Sequence, residues 1–78
     1  MFGSHPFRDV IGRRVIVHLT GGDTWRGTLG AYRDEWLTLT GAQYVDEHGT
    51  MGADGDIMLP ECGIEWMQVT DSVEEVAS

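Results

Sequence analysis

Few residues of this chain could carry out covalent chemistry. Cys62 is its single cysteine and could act as a nucleophile with His18 or His48 as base. Such a site would also need an oxyanion site and a group that orients the base. No flanking signature accompanies Cys62, and the surrounding residues favour a small side chain in a turn. We therefore predict that the protein is not an enzyme.

The acidic stretch 46–56 is the other place where chemistry could occur, because His48 follows Asp46 and Glu47 directly. Metal sites need ligands at characteristic spacings, and this stretch matches none of them. Residues 54–56 also lack the remainder of a calcium-binding loop. We interpret the stretch as a solvated acidic loop, and we expect neither a metal nor another cofactor.

Three tryptophans could bind other molecules, because indole rings stack on bases and also anchor protein interfaces. Trp25 shares a strand face with apolar residues, which predicts a core position. Trp36 lies opposite the leucines that follow it and is expected at the surface, whereas Trp66 could face either way. For Trp36 and Trp66 we favour protein contact over core burial or base stacking.

Net charge bears on nucleic-acid binding. The chain has 13 acidic residues and five basic ones, all arginine, which gives a net charge of −8. Long-range attraction to phosphate is weak or repulsive for such a chain. Arg8, Arg13 and Arg14 form a weak candidate patch for nucleic acid, although pairing with carboxylates explains them better. We expect protein partners rather than nucleic acid.

Length and composition restrict the fold and the location. The 78 residues form one domain with a thin core, and 41% of them are hydrophobic, as in ordinary folded proteins. No apolar run reaches the ~20 residues that cross a bilayer, and no signal-peptide pattern is present. Together with the unpaired cysteine, these features predict a cytoplasmic protein or a component of a particle assembled there.

Hydrophobic periodicity predicts a short helix at about residues 5–11 and an all-β fold of five strands. The strands are expected at about 14–20, 24–32, 36–45, 56–60 and 64–69 within a single domain, 1–70, followed by an acidic tail, 71–78. Glycines within the second strand indicate sharp bends, and short bent strands favour a small barrel. The predicted core residues are Phe7, Val10, Ile11, Val15, Val17, Leu19, Trp25, Leu29, Leu37, Leu39, Ile57, Leu59 and Ile64.

The order of these segments resembles the Sm-like family, also called the LSm/Hfq fold. Residues 11–19, the hairpin 21–29 and residues 37–39 are similar to the first family motif, a valine-rich strand, a turn and a strand containing Gly-x-Leu. Residues 55–59 with 64–67 are similar to the second motif. The resemblance covers roughly residues 6–69 and implies a strongly bent, SH3-like barrel of five strands behind an N-terminal helix.

The RNA-binding residues of that family are not matched here. Sm-like proteins that bind uridine-rich RNA use an Asn before the third strand, where this chain has residues 32–36 and no Asn anywhere. They also carry a basic Arg-Gly pair after the fourth strand, where this chain has residues 60–63 with the acidic Glu61. An acid there disfavours phosphate. The resemblance thus implies the fold without the RNA site.

The resemblance also implies self-association. In the Sm-like family the fourth strand of one copy pairs with the fifth strand of the next, which builds a ring. The matching segments here are short and apolar, and Pro60 limits the backbone donors of the first. Large outward side chains, Met58 with Trp66 or Met67, would favour contact. The predicted interface comprises Trp36, Ile57, Met58, Leu59, Ile64, Trp66 and Met67.

The closing segment also resembles small proteins encoded among the virion genes of actinobacterial phages. The chain contains neither Lys nor Asn, which fits the codon bias of a G/C-rich genome. We therefore expect a structural or protein-interaction module, built on an Sm-like barrel, in a phage particle or its assembly. The alternative is an RNA-binding Sm-like ring protein.

Overall fold

The computed structural model describes residues 6–70, so the predicted tail 71–78 and position 5 of the predicted helix lie outside the described residues. One helical turn precedes six strands, and a single 3-10 turn separates the last two. The elements are α1 (Pro6–Asp9), β1 (Arg14–Leu19), β2 (Thr24–Arg33), β3 (Trp36–Asp46), β4 (Gly49–Gly52), β5 (Ile57–Pro60), the 3-10 turn Glu61–Gly63, and β6 (Ile64–Val69). Within this part of the chain no helix is long and apolar enough to span a membrane.

All strand pairings are antiparallel. β2 pairs with β1 on one side and β3 on the other, and β1 pairs with β6 on its far side. The far side of β3 carries β5 along its first residues and β4 along its last. Within the described residues β5 and β6 do not pair with each other. Each therefore leaves one backbone edge open, as the short exposed strand β4 also does, and the edges of β5 and β6 are called the open edges below.

The sheet bends most sharply along β2. Its register with β3 shifts between Arg26 and Thr28 and again between Leu29 and Ala31. Gly27 allows the first bend, because a Cβ there would lie 3.0 Å from the carbonyl oxygen of Thr40. The bends curl the sheet around one apolar interior, as the resemblance to an Sm-like barrel implies.

The core consists of seven fully buried residues drawn from four strands. They are Val15, Val17, Leu29, Leu37, Leu39, Ala42 and Leu59. Half-buried side chains surround them, namely Phe7, Val10, Leu19, Trp25, Tyr32, Ala53, Ile57, Ile64, Met67 and Val69. Period-two alternation explains the pattern, because every second side chain of a strand points to the same face.

Ile11 is an incorrect core prediction, because its side chain is 44% exposed. The i, i+3, i+4 pattern predicted a two-turn helix, but α1 ends at Asp9 and the chain then turns at Gly12, which has a φ of +93°. The amide of Gly12 donates to the carbonyl of Leu29 at 2.7 Å and draws the backbone onto β2. Ile11 is left in the turn, away from the core.

The stretch 46–56 is also not the loop that its composition suggests. Gly49–Gly52 forms the exposed strand β4, which extends the sheet along Gln43–Asp46 of β3. A tight turn joins the two strands, and the amide of His48 donates to an Asp46 carboxylate oxygen at 2.8 Å. Glycines and exposed polar residues lack a strand signature, so the pairing depends on the backbone of β3 and not on side chains.

Candidate interaction surfaces

The open edges of β5 and β6 carry the largest exposed apolar side chains of the predicted interface. Met58 of β5 is 60% exposed and Trp66 of β6 is 47% exposed. Trp36, at the start of β3 beside β5, is 44% exposed and pairs in register with Pro60. Unpaired edge backbone combined with exposed apolar side chains is typical of a surface that recruits another strand.

The other four predicted interface residues face the core. Leu59 is fully buried, and Ile57, Ile64 and Met67 are half-buried against the core cluster. Met67 pairs in register with Val17, which fixes it on the inner face, so the outward apolar residue of β6 is Trp66. These four residues can contribute to an edge contact through their backbone groups, since their side chains already pack within the barrel.

Trp66 is held flat against β1 by His18. The two rings stack with centroids 5.1 Å apart and planes 15° apart. His18 Nδ1 lies 2.8 Å from Thr24 Oγ1, and His18 Nε2 lies 3.7 Å from a Glu65 carboxylate oxygen. His18 is therefore a positioning residue for the β6 surface. The outward alternation of β1 could have indicated this role, but only strand pairing shows that His18 meets Trp66.

The two loops that the Sm-like resemblance associates with RNA lie together in the structure. The amide of Glu61 in the 3-10 turn donates to the carbonyl of Glu35 in the β2–β3 turn at 2.8 Å. Asp34 and Glu35 both adopt positive φ, at 54° and 68°. Cys62 is exposed beside them, in a shallow depression that Glu35 and Glu61 also line. We call this region, residues 33–36 with 60–63, the loop pair.

The loop pair is acidic and rigidly anchored. The Tyr32 hydroxyl donates a hydrogen bond to a carboxylate oxygen of Glu61. This hydrogen bond is the main reason that the pKa of Tyr32 rises from 10.0 to about 12, because it stabilises the protonated phenol. Asp34, Glu35 and Glu61 thus place three carboxyl groups where the family pattern implies an amide and a cation. Arg33 offsets one of these three negative charges.

The three arginines of the candidate nucleic-acid patch make different contacts. The Arg8 guanidinium lies 5.7 Å from the centre of the Tyr32 ring, in a cation–π contact. Arg14 lies on the outer face of β1, opposite Thr28. Arg13 accepts a hydrogen bond from the Leu29 amide through its carbonyl. The Arg8 side chain therefore packs on Tyr32, whereas Arg14 lies on the outer face of the sheet.

The residues considered for catalysis or metal binding are scattered. His48 lies at the exposed β3–β4 turn, with Nε2 3.8 Å from a carboxylate oxygen of its neighbour Glu47. Among residues 6–70 no group of three or more His, Cys, Asp or Glu side chains is close enough to hold a metal ion. His18 is engaged with Trp66 and Thr24 on the β6 surface.

Comparison with known proteins gives the fold. No protein-family model and no curated protein matches the sequence. The structure is similar to the SmAP1 heptamer of Pyrobaculum aerophilum, with a TM-score of 0.76 and 19% identity over 90% of this chain and 97% of that one. It is also similar to the Sm protein of Pyrococcus abyssii in complex with a uridine heptamer, with a TM-score of 0.73 and 20% identity over 83% and 93% of the two chains.

A third similar structure is a chain of the NatC complex bound to CoA. Its TM-score is 0.73, with 20% identity over 100% of both chains. All three comparisons span nearly the whole of the solved chain, so they match the complete barrel and not a fragment of it. The chain therefore has the Sm-like fold: a strongly bent antiparallel sheet behind a short N-terminal helix.

Proposed function

We propose that this chain is a self-assembling Sm-like module without catalytic activity, in which the open edge of β5 pairs with the open edge of β6 of the next copy. The observation that carries the proposal is the pair of open edges with exposed Met58 and Trp66. The neighbour from Pyrobaculum supports it, because that protein has the same fold and is a heptamer.

The pairing has the geometry that a head-to-tail contact needs. β5 and β6 lie at different edges of one sheet, so each copy offers a different strand to each neighbour and successive copies can close into a ring. Only short pairing is available, because β5 has four residues and Pro60 lacks an amide hydrogen. Burial of Met58 and Trp66 would therefore supply much of the affinity.

Light scattering with size exclusion tests the proposal. We expect the wild-type chain to have a mass several times that of one copy. We expect Trp66→Ala and Met58→Asp to shift the population towards the single chain. Ile11→Asp is the matched control, because Ile11 is 44% exposed in the turn before β1 and belongs to neither β5 nor β6. A wild-type chain that stays monomeric at every concentration would remove the proposal.

RNA binding is the second candidate function, and one observation favours it. The Pyrococcus neighbour, which has the same fold, is in complex with a uridine heptamer. The ring and RNA alternative is therefore better supported by the comparisons than a role in a phage particle. The acidic loop pair argues against recognition of uridine there, since Glu61 occupies the position of the expected cation.

We accordingly propose that the loop pair does not bind uridine-rich RNA specifically. The test is a mobility shift of a labelled uridine-rich oligonucleotide at physiological salt, together with the 260/280 absorbance ratio of the purified protein. We expect no shift and a ratio typical of protein. Micromolar, uridine-specific binding that is altered in Glu35→Gln or Glu61→Gln would show that the loop pair does contact RNA.

A role as a subunit of a larger protein assembly, including a phage particle, remains a proposal from the sequence. The similarity to a chain of the NatC complex supports the general idea, because the same barrel occurs within a complex. The open edges would serve this role by capturing a strand of a different protein. Mass spectrometry of proteins that co-purify with the wild-type chain but not with Trp66→Ala would identify such a partner.

A further inference from the structure

A groove of about 510 Å³ crosses the outer face of the bent sheet and shares no lining residue with the loop pair or with β5. It runs from the end of β6 across β1 and β2 to the middle of β3. Its lining residues are Arg14, Val15, Ile16, Arg26, Gly27, Thr28, Thr40, Gly41, Gln43 and Thr70. This volume lies within the range of small-molecule sites.

The polar side chains of the groove can all donate hydrogen bonds, although the Thr40 and Thr70 hydroxyls already donate to the backbone carbonyls of Thr28 and Arg14, each at 3.5 Å. Arg14 and Arg26 contribute guanidinium groups, Gln43 an amide, and three threonines hydroxyl groups. None of the lining residues is acidic, although the chain has 13 acidic residues and only five arginines. Among the described residues none forms an ion pair with Arg26. The groove is thus a local cationic region on a strongly acidic protein.

The fold gathers this lining from distant parts of the chain. In the β1–β2 register Arg14 lies opposite Thr28, and Ile16 lies opposite Arg26, so both guanidinium groups stand on the same outer face. The Thr70 amide donates to the Arg14 carbonyl at 2.9 Å and fixes the end of the groove.

The bend of β2 gives the groove its depth. The register shift between Arg26 and Thr28 occurs where Gly27 lets β2 approach the backbone of β3. Across from it, Gly41 has a φ of +60° and no atom within 4 Å of the position its Cβ would take. The middle of the groove is therefore open to a ligand.

We propose that this groove binds a phosphate group, carried either by a small phosphorylated molecule or by a nucleic-acid backbone. Guanidinium groups bind phosphate through paired, charge-assisted hydrogen bonds, and the Thr28 hydroxyl and the Gln43 amide can donate further ones. The proposal does not depend on self-assembly, because every lining residue belongs to one copy. It also places any contact with nucleic acid on a different surface from the acidic loop pair.

Amide NMR spectra of the full chain, recorded during titration with inorganic phosphate and then with AMP, test the proposal. We expect saturable shifts at the amides of Gly27, Gly41 and Thr70. Arg26→Gln should weaken binding about tenfold or more, because it removes a charge-assisted hydrogen bond. Gln43→Glu should weaken it similarly through repulsion. Arg33→Gln is the matched control, since Arg33 is exposed at the end of β2 and outside the groove.

A short uridine oligonucleotide then distinguishes the two sources of phosphate. If it binds more tightly than AMP and shifts the same amides, the groove recognises a nucleic-acid backbone. If AMP or phosphate binds and the oligonucleotide does not, the ligand is a small phosphorylated molecule. The proposal is overturned if phosphate produces no saturable shift, if chloride produces the same shifts, or if Arg26→Gln binds as tightly as Arg33→Gln. Failure of self-assembly in light scattering would leave these outcomes unchanged.

Discussion

Leu29 lies at the centre of the core, between β3 and the residues that precede β1. It is fully buried and pairs in register with Leu39, while its backbone bonds to both Gly12 and Arg13. We expect Leu29→Ala to lower the free energy of unfolding by about 2–5 kcal/mol, through lost burial and a residual cavity. Urea unfolding monitored by tryptophan fluorescence measures this.

Met58→Ala provides the control for Leu29→Ala. It shortens a comparable side chain that is exposed on β5, so we expect a change within about 0.5 kcal/mol in the monomeric state. A loss below about 1 kcal/mol for Leu29→Ala would mean that the inner face of β2 has been assigned incorrectly.

Tyr32 and Glu61 predict a pH-dependent stability at the alkaline end. The pKa of Tyr32 is raised from 10.0 to about 12 in the folded chain, chiefly by its hydrogen bond to Glu61. Folding therefore favours the protonated phenol, and this contribution is complete below pH 10 and is lost as the pH rises towards 12. We expect Glu61→Gln to move the pKa of Tyr32 back towards 10, as followed by tyrosinate absorbance.

Asp23→Asn is the matched control for the tyrosine titration. The Tyr44 hydroxyl donates to an Asp23 carboxylate oxygen at 3.1 Å, and this bond is the main cause of the raised pKa of Tyr44. We expect Asp23→Asn to lower the pKa of Tyr44 and to leave Tyr32 unchanged. An unaltered Tyr32 titration in Glu61→Gln would contradict the assigned cause.

The bend of β2 depends on the absence of a side chain at Gly27. A Cβ there would lie 3.0 Å from the Thr40 carbonyl oxygen and 3.1 Å from the Cα of Ala42. Both are backbone atoms and move only if the strands separate. We expect Gly27→Ala to destabilise the fold by about 1–3 kcal/mol, as overpacking does, measured as a lower urea midpoint.

Gly52→Ala tests whether the effect is specific to the bend. Gly52 also lies in a strand, but no atom comes within 4 Å of the position its Cβ would take. We expect a change near zero or a slight stabilisation from reduced freedom of the unfolded chain. Equal destabilisation by the two substitutions would indicate a general cost of alanine and not a steric conflict at Gly27.

Strands with clear period-two alternation were predictable from the sequence. β1 and β6 begin at the expected residues, and β2, β3 and β5 agree to within one residue at each end. β4 was not predictable, because a glycine-rich exposed strand carries no hydrophobic pattern. The predicted helix was too long, because the backbone bond from Gly12 to Leu29 is a tertiary contact that local periodicity cannot reveal.

The surfaces were predictable only in part, because they depend on register. Exposure of Trp36 and Met58 follows from alternation alone. The stacking of Trp66 on His18 depends on how β6 aligns with β1, where a bulge inserts Glu65 and a simple alternation fails. The groove also depends on register, since the pairing of β1 with β2 places Arg26 on the same outer face as Arg14.

The net charge of the chain predicts how assembly depends on salt concentration. Each copy carries a net charge of −8, so copies that pair through β5 and β6 repel one another. Added salt screens this repulsion, and we therefore expect assembly to strengthen as sodium chloride rises from about 0.05 to about 0.5 M. Sedimentation velocity at fixed protein concentration measures the effect.

Assembly that weakens as the salt concentration rises would indicate a different cause, namely bound nucleic acid. Association that depends on bound nucleic acid weakens as salt rises, because the free energy gained by releasing counterions from the phosphates becomes smaller. Dissociation of the wild-type complex at high salt, with intact folding by circular dichroism, would thus contradict direct strand pairing. Trp66→Ala serves as the control, since it should assemble less than the wild-type chain at every salt concentration.

The 3-10 turn Glu61–Gly63 joins β5 directly to β6 and is fixed at both ends. The Glu61 amide bonds to Glu35, and the Gly63 carbonyl accepts from the Thr20 amide at 2.9 Å. The angle between the two open edges is thereby set within one chain. In the proposed ring of n copies, successive copies are related by a rotation of a full circle divided by n, and the relative orientation of the two open edges determines that rotation. The number of copies then depends on geometry within one chain, to which this turn and the pairing of β5 with β3 and of β6 with β1 all contribute.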